Sequence, residues 1–155
     1  MQRCMAALIV LMPILSTVAC TDLENAVYKS GIEKAIHEDA LTGNEPTYGH
    51  TAAMRKVDLS DCPQDFRVAY ANHIHAWDER AAAHAAKVKL DNDEDASAVA
   101  GLLSTLFDID ATPWSDHVRA ENEVKRLESI ASNDVHTTWQ DVETVASKYG
   151  AQLPH

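Results

Sequence analysis

The stretch that decides the fold is DCPQDFRVAYANHIHAWDERAAAHAAKV, residues 61–88. Its apolar and aromatic residues recur at steps of three and four over about six turns, which is the spacing of one face of an α-helix. That face consists of Phe66, Tyr70, His73 or Ile74, Trp77, Ala81, Ala85 and Val88. The opening residues Asp61-Cys62-Pro63-Gln64 predict the N-terminus, because Asp or Ser supplies a cap, Pro suits the first turn and Gln64 can close a capping box.

Shorter segments of the same period lie on both sides of this helix. We predict a first helix over residues 22–41, a third after the acidic run 91–95, a fourth from Thr112-Pro113, and a fifth capped by Thr137 or Thr138 and ended by Gly150. The expected inward faces are Leu23, Ala26, Val27, Ile32, Ala35 and Ile36 in the first, Val99, Leu102, Leu103 and Leu106 in the third, Val118, Val124, Leu127 and Ile130 or Ala131 in the fourth, and Val135, Trp139, Val142, Ala146 and Tyr149 in the fifth.

Residues 42–60 show no sustained period, and we expect a long loop or irregular segment there. No segment alternates as a strand would. The sequence therefore predicts an all-α fold, a bundle of four to five helices. We expect Trp77 and Trp139 in its core, since each lies centrally on an apolar stripe.

Residues 1–19 have the order of a secretory signal peptide. A cation at Arg3 precedes an apolar run, and small residues follow it up to Cys20. A bilayer-spanning helix needs about 20 apolar residues, and this run is shorter and interrupted by Pro13. The signal peptide leaves residues 20–155, which is the length of a single helical domain.

Thr17-Val18-Ala19-Cys20 resembles the lipobox of bacterial lipoproteins, although that family usually has leucine where Thr17 stands. The resemblance implies that Cys20 is acylated and anchors the protein in the cell envelope. Because Asp22 does not directly follow the cysteine, the family pattern favours the outer membrane, with the body facing the periplasm. The alternative is an ordinary signal peptide cut after Ala19, giving a secreted or soluble periplasmic protein.

The charge of the chain excludes several partners. It carries 24 acidic and 13 basic residues, a formal net charge of −11. Such a protein should repel nucleic acid and anionic headgroups. Membrane contact would then depend on the lipid anchor, and an envelope protein is the other expected partner. The sequence does not set the oligomeric state.

Motifs of common enzymes and metal sites are absent from residues 20–155. The glycines are too far apart for a phosphate-binding or dinucleotide-binding loop. No histidine follows a glutamate by three residues, which excludes the di-iron pattern of helical bundles. The acidic run 91–95 has Ala96 and Leu102 where a calcium loop needs glycine and glutamate. We therefore expect no enzyme, cofactor or metal.

Two positions remain as candidate sites. His73, one turn from both Tyr70 and Trp77, is either a core-edge histidine satisfied by a hydrogen bond or part of a small-ligand or metal site. Cys62, in the first turn of the predicted helix, is either a reactive thiol or a packed one, since Asp61 and Asp65 oppose a thiolate.

The function expected from the sequence is non-enzymatic: an exported helical lipoprotein of the cell envelope with a structural, accessory or protein-interaction role. The alternatives are a periplasmic binding module near His73 and Trp77, and a thiol-dependent protein that uses Cys62.

Overall fold

The computed structural model of the chain describes residues 12–43, 47–92, 99, 101, 104, 107 and 117–153. Within these residues the chain forms helices and turns but no strand, which confirms the predicted all-α bundle. The continuous helices are α1 (Met12–Thr42), α2 (Thr47–Met54), α3 (Gln64–Asp91) and α4 (His117–Lys148).

The predicted third helix lies mostly outside the described residues. Val99 is described, helical and buried, whereas Leu102, Leu103 and Leu106 fall outside, as does the predicted helix start at Thr112-Pro113.

The long helices α3 and α4 are antiparallel neighbours and make the most extensive helix–helix contact of the bundle. At one end Lys148 Nζ of α4 lies 2.6 Å from Asp65 Oδ2 at the start of α3. Towards the other end Lys87 Nζ of α3 lies 3.4 Å from Glu128 Oε2 of α4. At about 1.5 Å per residue each helix is roughly 40 to 50 Å long, so the pair spans the molecule.

The buried apolar side chains form two clusters along this pair. The first cluster joins α1, α2, the start of α3 and the end of α4, and consists of Ile32, Ala35, Ile36, Met54, Cys62, Phe66, Ala69, Tyr70, Val142 and Ala146. The second cluster joins the end of α3 to the start of α4, and consists of Ala83, Ala86, Leu90, Val99, Ala120, Val124 and Leu127. Between the clusters, at mid-length of α3, the side chains include His73, Trp77 and Arg80.

The second half of helix α1 packs tightly against the bundle. Gly31 is buried, and a Cβ at this position would lie 2.5 Å from the carbonyl oxygen of Asp61. Close by, Lys34 Nζ donates to Asp58 Oδ2 over 2.8 Å, which holds the pKa of that exposed carboxyl below its ordinary value. α1 is therefore fixed against the turn before α3 by a contact that requires glycine.

The side chains of residues 23–27 in α1, among them that of Ala26, are exposed. Leu23 and Val27, expected to face inward, are 68% and 47% exposed, so this part of the prediction was wrong. Neither residue belongs to a buried apolar cluster of the described part of the chain. No helix formed by the described residues is both long enough and apolar enough to cross a bilayer.

Helix α2 lies inside the segment that we expected to be irregular, which corrects that prediction. Its buried positions are His50, Thr51 and Met54. Two of these three residues are polar. A helix is recognised in a sequence by apolar residues at steps of three and four, and α2 does not show this pattern because its buried face is mostly polar.

The start of α3 differs from the predicted capping box. Pro63 is the N-cap residue, and no side chain forms a cap hydrogen bond there. Cys62 consequently lies before the cap and outside the first turn. Its amide nitrogen donates to the carbonyl oxygen of Leu59 over 3.1 Å, as part of the preceding turn.

The predicted fourth and fifth helices are one continuous helix, α4. Thr137 and Thr138 do not cap a new helix. Their hydroxyl groups donate to the carbonyl oxygens of Asn133 and Asp134, over 3.0 and 2.7 Å, which satisfies them without a break.

The inward face of α4 agrees with the prediction in part. Val124, Leu127 and Ala131 are buried, whereas Val118 is 63% exposed and Ile130, the alternative to Ala131, is 40% exposed.

The predicted end of α4 at Gly150 is confirmed. Gly150 has a φ of 69°, its amide nitrogen donates to the carbonyl of Ser147, and the amide of Ala151 donates to the carbonyl of Ala146. This pair of bonds is a Schellman motif, which favours glycine at the left-handed position.

Candidate functional site: a cleft beside Trp77

A cleft opens between the two buried clusters, where α3 and α4 are joined by the end of α1 and by α2. It consists of two adjoining cavities of about 460 and 430 Å³ that share His50, Trp77, Arg80 and Ser132 as lining residues. His73, Val135 and Trp139 line one side, and His84 and Glu128 line the other. This volume suits a small organic molecule.

A chain of hydrogen bonds fixes one wall of the cleft. Trp77 Nε1 donates to His73 Nε2 over 3.1 Å, and His73 Nδ1 lies 3.0 Å from Thr138 Oγ1. Because an indole nitrogen can only donate, Nε2 of His73 carries no proton and Nδ1 donates to Thr138. Thr138 in turn donates to the carbonyl of Asp134 over 2.7 Å. The side-chain polar atoms of Trp77, His73 and Thr138 therefore all have hydrogen-bond partners.

His73 is buried and stays neutral. Burial lowers its pKa to about 4, and the nearby His50 contributes to the shift. With both ring nitrogens engaged, His73 positions Trp77 and has no free lone pair for a metal or a ligand.

His50 reaches the cleft from α2. Its Nδ1 lies 3.1 Å from the carbonyl oxygen of Thr42, which can only accept, so Nδ1 carries the proton. The His50 ring lies edge-on to Trp77 with 4.3 Å between centroids. Within the described part of the chain Nε2 of His50 has no hydrogen-bond partner, and in this tautomer it presents a lone pair.

Arg80 is the cation of the cleft. Its Cζ lies 4.8 Å from the centroid of the Trp77 ring, a cation–π contact that holds the guanidinium over the indole. Among the residues that the structure describes, no carboxylate forms an ion pair with it.

The two tryptophans that we expected in the core lie at its edge instead. Both are half-buried, and both line the cleft. Trp139 Nε1 donates to Glu143 Oε1 over 2.8 Å. Each indole thus places its apolar face against the first cluster while its N–H finds an acceptor, an arrangement that full burial would make harder.

Of the three residues predicted to surround a ligand, the structure brings His73 and Trp77 to the cleft but not Tyr70. The Tyr70 ring is fully buried in the first cluster, and its hydroxyl donates to Asp39 Oδ1 over 2.7 Å. Burial, and then this hydrogen bond, raise the pKa of Tyr70. Tyr70 is a packing residue that holds Asp39 at the cleft margin.

Cys62 lies in the first cluster and does not line the cleft. It is 2% exposed, and burial together with the charges of Asp58 and Asp61 raises its pKa to about 11. Since it also lies before the first turn of α3, the helix dipole that motivated a reactive thiol does not act on it as predicted.

Among the described residues that line the cleft, no nucleophile is hydrogen-bonded to a base. No three histidine, cysteine or carboxylate side chains gather into a metal site in the described ranges. Ser132 has no hydrogen-bonded base among the same residues, and His73 has no free nitrogen. A catalytic base and nucleophile in contact are not among these groups.

His50, Arg80 and Ser132 were missed by the sequence analysis. Arg80 follows Trp77 by three residues and so shares its helix face, a signal that could have identified it. His50 and Ser132 carried no such signal, because their approach depends on how α2 and α4 pack against α3.

Comparison of the chain with protein families, with curated proteins and with solved structures found no match in any of the three.

Proposed function

We propose that this chain is an exported binding protein of a bacterial cell envelope, anchored by a lipid on Cys20, whose helical body holds a small ligand in the Trp77 cleft without reacting with it.

The observation that carries the binding role is the contrast between satisfied and unsatisfied polar groups at Trp77. His73 is hydrogen-bonded on both sides and stabilises the wall. The His50 ring and the Arg80 guanidinium lie against the same indole, and His50 Nε2 and the guanidinium have no polar partner among the described residues. An aromatic surface with a few unengaged polar groups is typical of small-molecule sites.

Ser132→Trp tests this role, because Ser132 lines both cavities and is exposed, so a large side chain should fill the cleft at little cost in stability. A library of small polar and aromatic compounds would be screened by ligand-observed NMR against both proteins. We expect compounds that bind the wild type and not the blocked variant. Equal behaviour of the two proteins towards every compound would contradict a binding role for the cleft.

The proposed lipid anchor is supported by residues outside the cleft. Thr17-Val18-Ala19-Cys20 resembles a lipobox, and the exposed segment around Leu23 and Val27 supports an anchor, since this part of α1 contributes little to the bundle. The same exposed segment would also suit the contact with an envelope protein that we expected from the sequence.

Detergent partitioning tests the anchor. Wild type expressed in a lipoprotein-processing bacterium should enter the detergent phase, and Cys20→Ser should stay in the aqueous phase. Cys62→Ser is the matched control and should partition as wild type does. Recovery of wild type and Cys20→Ser in the same phase would remove the anchor from the proposal.

A further inference from the structure

We infer that the Trp77 cleft is selective for a small organic carboxylate, with the guanidinium of Arg80 as the group that binds the carboxylate. This inference rests on the proposed binding function and specifies the chemical class of the ligand.

Arg80 has the position that such a role needs. Its side chain is partly buried, it lines both cavities, and its guanidinium is held over Trp77. Two other arginines already form ion pairs: Arg55 pairs with Asp78, and Arg126 with Glu123. A planar guanidinium presents two parallel N–H groups that match the two oxygens of a carboxylate.

The acidic groups of the cleft are engaged elsewhere and leave Arg80 uncompensated. Glu128 lies 3.4 Å from Lys87 Nζ and 3.7 Å from His84 Nδ1. Asp39 accepts a hydrogen bond from the hydroxyl of Tyr70 over 2.7 Å. In a protein with a net charge of −11, Arg80 offers an anion a cation that forms no ion pair with a carboxylate among the described residues.

The rest of the lining favours an organic anion over an inorganic one. Apolar surface lies beside Arg80, on Trp77, Trp139 and Val135. A phosphate ion would leave this apolar surface exposed to water. His50 Nε2 presents a lone pair on the same indole, so it can accept a hydrogen bond from a hydroxyl group on the ligand. The ligand that fits is a carboxylate on a small flat body that also carries a hydroxyl.

Isothermal titration tests the inference with 4-hydroxyphenylacetate as the probe. Its neutral amide, 4-hydroxyphenylacetamide, has the same shape without the charge, and inorganic phosphate has the charge without the apolar body. The proteins are wild type, Arg80→Gln and the matched control Arg67→Gln, which removes an exposed arginine of the same helix. Circular dichroism checks that each is folded.

We expect the carboxylate to bind wild type at least about tenfold more tightly than the amide or phosphate, because a charged hydrogen bond contributes roughly 1.5 to 3 kcal/mol. Arg80→Gln should remove this preference, and Arg67→Gln should keep it. If Arg80→Gln does not fold, the comparison of carboxylate with amide on wild type still decides.

Three outcomes would overturn the inference. Equal affinity for carboxylate and amide, lost in Ser132→Trp, would leave a binding cleft that does not select anions, so the proposed function would survive without the inference. Equal affinity for phosphate would mean that the cleft responds to charge alone. Absence of probe binding to wild type, or binding that Arg80→Gln and Ser132→Trp leave unchanged, would remove the carboxylate site, and the library screen would then decide the proposed function separately.

Discussion

The indole nitrogen of Trp77 donates a hydrogen bond to Nε2 of His73, with 3.1 Å between the two nitrogens. This contact fixes the tautomer of a buried histidine, since a nitrogen that accepts from an indole cannot carry a proton itself. The proton is therefore on Nδ1 and directed at Thr138, so the wall of the cleft links α3 to α4.

Replacing Thr138 with valine should destabilise the protein by about 1 to 3 kcal/mol, because a buried imidazole N–H would lose its acceptor. Thr137→Val is the matched control: its hydroxyl makes the same kind of bond to the preceding turn, but it is exposed and does not touch His73. It should change stability by no more than about 0.5 kcal/mol. Urea unfolding measures both, and equal losses would mean that the His73 bond contributes nothing.

His73 should make the protein less stable at acid pH. Its pKa falls from the ordinary 6.5 to about 4 on folding, so between these values the unfolded chain binds a proton that the folded one does not. The free energy of unfolding should thus rise as pH increases from about 4 to 6.5 and level off above, by at most about 3 kcal/mol from this group.

The contribution of His73 is isolated by comparing variants. Urea unfolding at several pH values should give a shallower rise over this range for His73→Gln than for wild type. His75→Gln removes an exposed histidine two residues along α3 and should keep the wild-type slope. A His73→Gln protein with the full slope would assign the acid sensitivity to other groups.

Gly31→Ala should destabilise the protein by more than about 1 kcal/mol, because its methyl group would lie 2.5 Å from the carbonyl oxygen of Asp61, where backbone must move. Gly101→Ala is the contrasting substitution. Gly101 is helical and exposed, and a Cβ there meets no atom within 4 Å, so alanine should stabilise the helix by roughly 0.5 to 1 kcal/mol. Thermal unfolding of both variants measures the two changes. A Gly31→Ala protein as stable as wild type would contradict the packing described for α1, and a destabilised Gly101→Ala protein would contradict the expectation for Gly101.

Cys62 should react slowly with iodoacetamide in the folded protein. It is 2% exposed and its pKa is raised to about 11, so at neutral pH little thiolate is present and little reagent reaches it. Ser60→Cys, with Cys62 replaced by alanine, places a thiol at an exposed position two residues away. In a background in which Cys4 and Cys20 are serine, we expect the exposed thiol to react at least about 100-fold faster. Comparable rates would restore the thiol-dependent alternative.

The sequence predicted the elements whose apolar spacing is regular. The extent of α3 was foreseen almost to its ends, because Phe66, Tyr70 and Trp77 follow the helical period and Pro63 marks its beginning. The predicted inward face was wrong in the second half of the helix, where Ala83, Ala86 and Leu90 are buried and Val88 is 42% exposed. Gly150 was foreseen as the end of α4, since glycine can adopt a positive φ without strain.

The parts that were missed depend on contacts between distant segments. Thr137 and Thr138 have the composition of a helix cap, and only the chain before them shows that they bond back within a continuous helix. His50 enters the cleft because α2 packs against α3, an approach that no spacing within residues 42–60 reveals. The exposure of Leu23 likewise depends on contacts between segments and not on its own spacing.

Helix α1 is continuous from Met12 to Thr42, with Cys20 near one end and the cleft residues Asp39 and Ala40 near the other. If Cys20 carries the lipid, α1 is a helical spacer and not a flexible linker. Twenty residues at about 1.5 Å each place the cleft roughly 30 Å from the anchored residue. The cleft would then lie away from the bilayer whenever α1 stands upright, and ligands would reach it from the solvent rather than from the lipid.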